Sequence, residues 1–196
     1  GSDECGKGFS IQGLSSITID TRWGLPKYDG DDLYLLDGEK LKKVGSEEND
    51  ENITYYETEA KKNYEEIKKI NEDGKIYWEI RSKDGRKRTY GGYDLGAENE
   101  NIYKYEFKIT KEEDLRGNEI IYEYSEIDES NNYIWLDNIY YTGYKGNKGN
   151  YKVHFERKAK DKDIKLNARG KYLSKQDSLY ETITIYYVVN DFRNTI

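Results

Sequence analysis

Apolar residues fall at every second position along most of this chain, and that period commits it to β-structure. Tyr103, Tyr105, Phe107 and Ile109 share one face, opposite Lys104, Glu106 and Lys108. This is the pattern of a strand with one face in a core and one in water. Ile76, Trp78 and Ile80 alternate with Tyr77, Glu79 and Arg81, and Ile120, Tyr122 and Tyr124 with Ile121, Glu123 and Ser125. Tyr151, Val153 and Phe155 alternate with Lys152, His154 and Glu156. A later run, Ile183, Ile185, Tyr187 and Val189, reads as buried on both faces. β-branched and aromatic side chains suit a pleated, half-buried surface, so propensity agrees with period.

Turn residues separate these runs: Asp29-Gly30, Asp37-Gly38, Asp73-Gly74, Asp84-Gly85, Arg116-Gly117-Asn118 and Lys148-Gly149-Asn150. Asp-Gly favours the primed turns whose twist matches a hairpin. Gly91-Gly92 and the stretch Gly143 to Gly149 read as further hairpin ends. Short strands punctuated this often predict an all-β fold. The expected form is an antiparallel, hairpin-rich sheet: a sandwich, an open barrel or part of a β-shell, with at most short helices. Trp78 and Tyr122, each central to an alternating set, are the expected core anchors.

Three segments depart from the pattern. Glu59 to Glu72 is rich in helix formers, with Tyr64, Ile67 and Ile70 at helical spacing, and taken alone it reads as a helix. Ser46 to Asn52 is acidic and reads as a loop. Lys158 to Asp177 reads as a long loop carrying a short strand around Ile164–Leu166.

Length and composition narrow the class further. A chain of 196 residues is one domain or two small ones. Aromatics at 14% argue for an ordered core, since disordered chains are poor in them. No apolar run approaches the ~18 residues of a membrane helix. The net charge is -7, with Lys and Glu interspersed, so no basic face for nucleic acid or for an anionic membrane is visible. Gly1-Ser2 reads as a vector scar, and residues 1–7 are set outside the domain, which is expected to span 8–196 as a fragment of a larger protein.

Little in the sequence points to catalysis. Its single cysteine, Cys5, cannot form an intrachain disulfide and reads as a plain thiol. The single histidine, His154, lies on the polar face of its strand and reads as solvent-facing. One of each is too few for a zinc site, and no phosphate loop or dinucleotide fingerprint is present. Asp29, Asp31 and Asp32 do not match a calcium loop and read as an acidic turn. The 39 acidic residues permit many carboxylate pairs and so single out none. The expectation is therefore no catalytic residue, no cofactor and no metal. Exposed Tyr and Trp leave open a second reading, a surface β-domain that binds carbohydrate or a protein partner.

An ordered set of short motifs is more specific. The segment Gly8 to Ile17 is followed by Gly24-Leu25-Pro26-Lys27-Tyr28-Asp29, and then by Asp32 to Leu41 with Gly38 at its turn. Trp78 and Asp84-Gly85 follow, then Tyr90-Gly91, and then Asp114-Leu115-Arg116-Gly117-Asn118 leading into Tyr122 and Tyr124. This order resembles the N-terminal domain of the Salmonella virulence-plasmid B protein (SpvB) family, which also opens the B component of insecticidal toxin complexes. The departures are packing changes: Phe9 for an aromatic pair, Gly13-Leu14 where the family has proline, and Tyr34 for a common Phe. The D-x-x-G-N motif at Asp114–Asn118 also resembles the tyrosine–aspartate (YD, or Rhs) repeat, whose hairpins coil into a hollow β-shell around a toxic polypeptide.

The resemblance implies a non-catalytic structural module of a toxin-complex shell, secreted or at the cell surface. Its partners would be other domains or subunits of the complex, with no nucleic acid and no membrane insertion by this segment. The resemblance also implies that Tyr64–Ile70 is a strand, since tertiary pairing overrides weak helix propensity. A sheet cut at both ends would leave edges through which the isolated fragment self-associates.

Overall fold

The computed structural model describes residues 11, 13–48, 50–60, 66–93, 105–125 and 132–188. Fourteen strands run in chain order, and no helix occurs among the described residues. The first eight are β1 (Ser16–Ile19), β2 (Tyr34–Leu36), β3 (Glu39–Glu47), β4 (Asp50–Thr58), β5 (Glu66–Glu72), β6 (Lys75–Arg81), β7 (Lys87–Gly91) and β8 (Glu106–Glu113). Each pairs antiparallel with the next, and β1 also pairs with β8, Ile17 facing Phe107, so the eight close into an up-and-down barrel. Closure removes free edges from this part of the sheet.

β8 then serves two neighbours. Its first residues pair with β1, while Lys111–Glu113 pair with β9 (Asn118–Tyr124). From β9 the sheet leaves the barrel and continues through β10 (Leu136–Tyr144), β11 (Tyr151–Ala159) and β14 (Ser178–Tyr187), where it ends. β12 (Lys165–Asn167) and β13 (Ser174–Gln176) form a separate small hairpin.

The turns explain the register. Asp37-Gly38 and Asp73-Gly74 have positive φ at both residues (49° and 85°, 51° and 83°), which is the primed turn expected of Asp-Gly. Asp84-Gly85 differs: only Gly85 is left-handed, and the loop is closed by Gly85 N–H to Ser82 O and Ser82 N–H to Arg86 O, both 2.9 Å. Asp114–Asn118 has the same build, with Gly117 at φ 83°. This is the three-residue hairpin in which a type I turn ends on a left-handed glycine. The Asp114 carboxylate accepts from Arg116 N–H (2.8 Å), Asn118 N–H (2.9 Å) and Asn118 Nδ2 (2.7 Å). Those bonds, the Asn118 side chain first, hold its pKa below the ordinary aspartate value. Here each letter of D-x-x-G-N has a task. Gly117→Ala forces a side chain into the left-handed region and should cost about 1–2 kcal/mol in chemical denaturation; an unchanged midpoint would refute this account of the turn.

Two cores result. Inside the barrel, Trp78 is fully buried, with ring centroids of Tyr34 at 4.8 Å, Tyr56 at 5.0 Å and Phe107 at 6.1 Å. Ile17, Ile19, Leu36, Leu41, Ile67, Ile80, Tyr90 and Ile109 complete this core. The second core lies on the extension, where Tyr180 packs on Trp135 and Phe155, both at 5.4 Å, and its hydroxyl accepts from Leu136 N–H at 2.9 Å. Tyr122 does not anchor one core: it is half-buried, touches both, and donates its hydroxyl to Glu112 at 2.6 Å.

Several expectations are corrected. Ser46 to Asn52 is not a loop: β3 runs to Glu47 and β4 starts at Asp50, because backbone pairing with neighbouring strands carries the acidic residues on the solvent side. The helical reading of Glu59 to Glu72 gives way to β5, paired along its length with β6. Asp29-Gly30 makes no hairpin and sits in the loop between β1 and β2. Gly143 lies within β10, and the tip of that hairpin is Lys145-Gly146, both with positive φ. The Ile183–Tyr187 run is not buried on both faces, as described below. Cys5, Gly8 to Ser10, Tyr64, Tyr103 and Val189 lie outside the described residues.

Candidate interaction surface

The extension presents one polar and one apolar face. On the polar face, Asn138, His154 and Thr184 lie in register across β10, β11 and β14. His154 is half-buried, not freely solvated: its Nδ1 is 2.9 Å from Asn138 Oδ1 and its ring is 6.4 Å from that of Tyr186. Asn138 in turn donates to Glu123 at 3.1 Å, and Lys148 pairs with Glu123 while lying 4.9 Å over the Tyr140 ring. At the edge of the second core, burial pushes the Asp137 carboxyl above its ordinary pKa, opposed by Arg157 at 3.6 Å. Asn138, His154, Glu123 and Lys148 thus form one chain of contacts that ties this face to itself.

The apolar face is open. Register places Tyr141, Tyr151 and Tyr187 in one row, and Ile139, Val153 and Ile185 in the next, with Ile183 opposite Phe155. Ile139 and Phe155 are covered by the second core. Beyond them the cover stops: Ile183 is 54% exposed, Ile185 73% and Tyr187 60%. Tyr151 and Tyr187 stack on each other at 5.1 Å with no further cover among the described residues. Thr182 to Val188 carries no charge, and among the described residues β14 has a paired neighbour only in β11. An uncharged, β-branched strand with a free edge and an exposed apolar face is a template for another surface.

One close approach shapes this region. A Cβ on Gly149 would sit 1.6 Å from Tyr141 O, so the connection from β10 to β11 passes too close to the strand for any side chain. Gly149→Ala should therefore rebuild this corner, weakening the β10–β11 pairing and lowering the thermal midpoint. Wild-type stability in that variant would show that the corner relaxes freely.

The motif residues divide between the two ends of the barrel. Asp84, Gly85, Asp114, Gly117 and Asn118 come together: a Cβ on Gly85 would fall 2.3 Å from Leu115 Cδ2, so the β6–β7 and β8–β9 tips pack on each other. Lys145 N–H bonds Gly117 O at 3.1 Å, and nearly buried Glu119 accepts from Gly146 N–H (2.8 Å) and Lys111 Nζ (3.2 Å), tying the β10 tip to the same end. Gly38 turns β2 into β3, beside Asp37, whose carboxylate accepts from Ser15 Oγ (2.7 Å) and Ser16 N–H (2.9 Å). The buried Tyr90 hydroxyl is 3.0 Å from Ser15 Oγ, across the closure seam. Gly24, buried Pro26, Tyr28 and Asp29 belong to the loop at the opposite end, where Tyr28 donates to Gly170 O at 2.7 Å. Tyr124 donates to Ile109 O at 2.7 Å where the extension leaves the barrel. These contacts serve turns, seams and cores, and none converges on a reacting centre. Among the described residues no group of three or more His, Cys, Asp or Glu could hold a metal ion, and no helix is long and apolar enough to cross a membrane.

The class this defines is a closed antiparallel eight-stranded barrel prolonged by a four-stranded extension. The sequence matches the family of the Salmonella virulence plasmid 65kDa B protein, SpvB, over residues 1–175, and the chain belongs to that family. Its fold is similar to the N-terminal domain of the effector protein SpvB from Salmonella typhimurium strain LT2, with a TM-score of 0.77 at 13% identity, over 91% of this chain and 77% of that one. A chain of the Photorhabdus luminescens Tc holotoxin pore is similar with a TM-score of 0.72 at 15% identity, over 93% of this chain. A chain of the TcdB2–TccC3 complex is similar at 0.70 and 14% over 89%. This chain spans only 11% of either of those two. No curated protein matches the sequence.

Proposed function

We propose that this chain is a non-catalytic structural module of a toxin complex, one part of a longer secreted or surface-exposed assembly that encapsulates or delivers a toxic polypeptide. The observation that carries this reading is the open apolar face of β10, β11 and β14, continuous with the second core and ending on a strand edge with no partner among the described residues. A protein that worked alone would hide such a face, whereas a module seated in a larger body needs it. The family and the fold likeness to toxin-complex chains support a toxin complex as that body. The motif residues Asp114, Gly117 and Asn118 keep the tips rigid, and Trp78 and Tyr90 keep the barrel closed, so the face is held in place.

The test uses the remaining toxin-complex polypeptide, expressed separately from this chain. Wild-type chain should co-purify with it. Ile185→Lys, which puts a charge on an exposed position and leaves both cores intact, should lose most of that binding with an unchanged circular dichroism spectrum. Equal retention of the two chains, or retention of neither, would refute this role for the face.

A further inference from the structure

The barrel is not filled along its whole length. Trp78, Tyr34 and Tyr56 form an aromatic floor, and above it a cavity of about 290 Å³ opens at the end where β3 turns into β4 and β5 into β6. Inward-facing positions follow from register: Lys43 is opposite Tyr56, while Thr54, Lys69 and Trp78 are opposite one another on β4, β5 and β6. The wall is Thr54, Lys69 and Ile76, the rim Lys43, Asn52 and Asn71, and Tyr28 and Gly30 of the β1–β2 loop lean over the opening.

Donors outnumber acceptors in this chamber. Lys69 Nζ donates to Tyr34 Oη at 2.7 Å and lies 4.7 Å over the same ring, which leaves two of its protons and the tyrosine's own free to donate. Neither Lys43 nor Lys69 has a carboxylate within ion-pairing distance among the described residues. Trp78 Nε1, buried in the floor, has no acceptor there either. Two carboxylates are near. Asp32 accepts Lys27 N–H (2.8 Å) and Tyr28 N–H (2.7 Å) and so is committed to the loop, while Glu51 stands on the exposed rim. Burial and neighbouring Lys43 lower the Lys69 pKa, against a pull upward from Asp32. A half-buried cation with no counter-ion beside aromatic rings and free amide and hydroxyl groups is a recognition set without its ligand.

We propose that the barrel mouth binds a small ligand bearing one carboxylate on a hydroxylated ring, an acidic monosaccharide in chemical class. The carboxylate would meet Lys69 and Lys43. The hydroxyls would meet Thr54, Asn52 and Asn71, and the ring's C–H face would lie on the tyrosines. The volume admits a single ring, at the small end of ligand cavities. None of these residues belongs to the β10–β11–β14 face, so the two sites stand or fall separately.

The experiment titrates the chain with glucuronate, glucose and inorganic phosphate, following amide NMR shifts at Lys43, Thr54, Lys69 and Asn71. Glucuronate should saturate these shifts, and Lys69→Met, which keeps the stem and removes the charge, should weaken it about tenfold or more. Lys69→Met should fold as well as wild type, since it removes a desolvated cation. Thr54→Val, retaining the charge, should weaken glucuronate without restoring glucose. Glucose binding as tightly as glucuronate, phosphate binding more tightly, or Lys69→Met binding as wild type would each overturn the assignment.

Discussion

Trp78→Ala is expected to lower stability by about 3–5 kcal/mol, the range for truncating a large buried aromatic. Trp78 has no solvent exposure and touches Tyr34, Tyr56 and Phe107, which come from three other strands of the barrel. Its loss opens a void where strands far apart in sequence meet. One effect works the other way. The Nε1 proton has no acceptor, and removing an unpaired buried donor relieves a penalty of about 1–3 kcal/mol. The loss should thus fall at the lower end of the range, and Trp78→Phe should cost much less than Trp78→Ala. Domains of this kind hold only about 5–15 kcal/mol in all, so Trp78→Ala should bring unfolding close to working temperatures. Urea denaturation followed by circular dichroism measures both variants. Equal midpoints for wild type and Trp78→Ala would remove Trp78 from the core.

The chain should also unfold cooperatively in alkali, between about pH 10 and pH 12. Burial pushes the Tyr28 and Tyr56 hydroxyls up to about 12, and raises those of Tyr34, Tyr122 and Tyr172 further. In the unfolded chain these phenols ionise near 10. Below pH 10 both states are protonated and nothing changes. Above it the unfolded state gives up protons that the folded state keeps, so stability falls as pH rises. A fully shielded tyrosine contributes about 1.4 kcal/mol per pH unit. Tyr34 and Tyr56, inside the barrel, contribute at most about 3 kcal/mol per unit together, and the more solvated Tyr28, Tyr122 and Tyr172 add less. Tyrosinate absorbance of the buried set should therefore appear together with loss of the β-sheet signal. Titration of every tyrosine near pH 10 with the sheet signal intact would contradict the burial assigned to them.

Local features of the fold were legible in the sequence where two signals agreed. Ile76, Trp78 and Ile80 alternate between two Asp-Gly turns, and β6 lies between those turns with Trp78 and Ile80 buried. Barrel closure was not legible, because Ile17 meets Phe107 across 90 residues of sequence and no local pattern encodes that pairing. The Lys145-Gly146 tip lacks the Asp or Asn that marks a primed turn, and its acceptors, the Gly117 carbonyl and the Glu119 carboxylate, come from another hairpin.

The run at Ile183 misled for a different reason. Alternation with Thr182, Thr184 and Tyr186 shows which face is apolar, but not what covers it. Hydrophobicity reports that a surface needs burial, and here that need is unmet among the described residues. The barrel-mouth lysines were readable in principle, since Lys43 and Lys69 share parity with buried Leu41 and Ile67. Isolated lysines among many charges carry no signal until closure turns parity into an interior.

The most direct test of the account is hydrogen–deuterium exchange on β14, in this chain alone and when it is seated in the complete toxin-complex assembly. The outward-facing amides of Ile183, Ile185 and Tyr187, which β11 does not bond, should exchange readily in the isolated chain and become strongly protected on assembly, while those of β6 and β8 inside the barrel change little. Slow exchange of those outward amides in the isolated chain, or no gain of protection on assembly, would contradict the proposal that this face is where the module seats in a larger assembly.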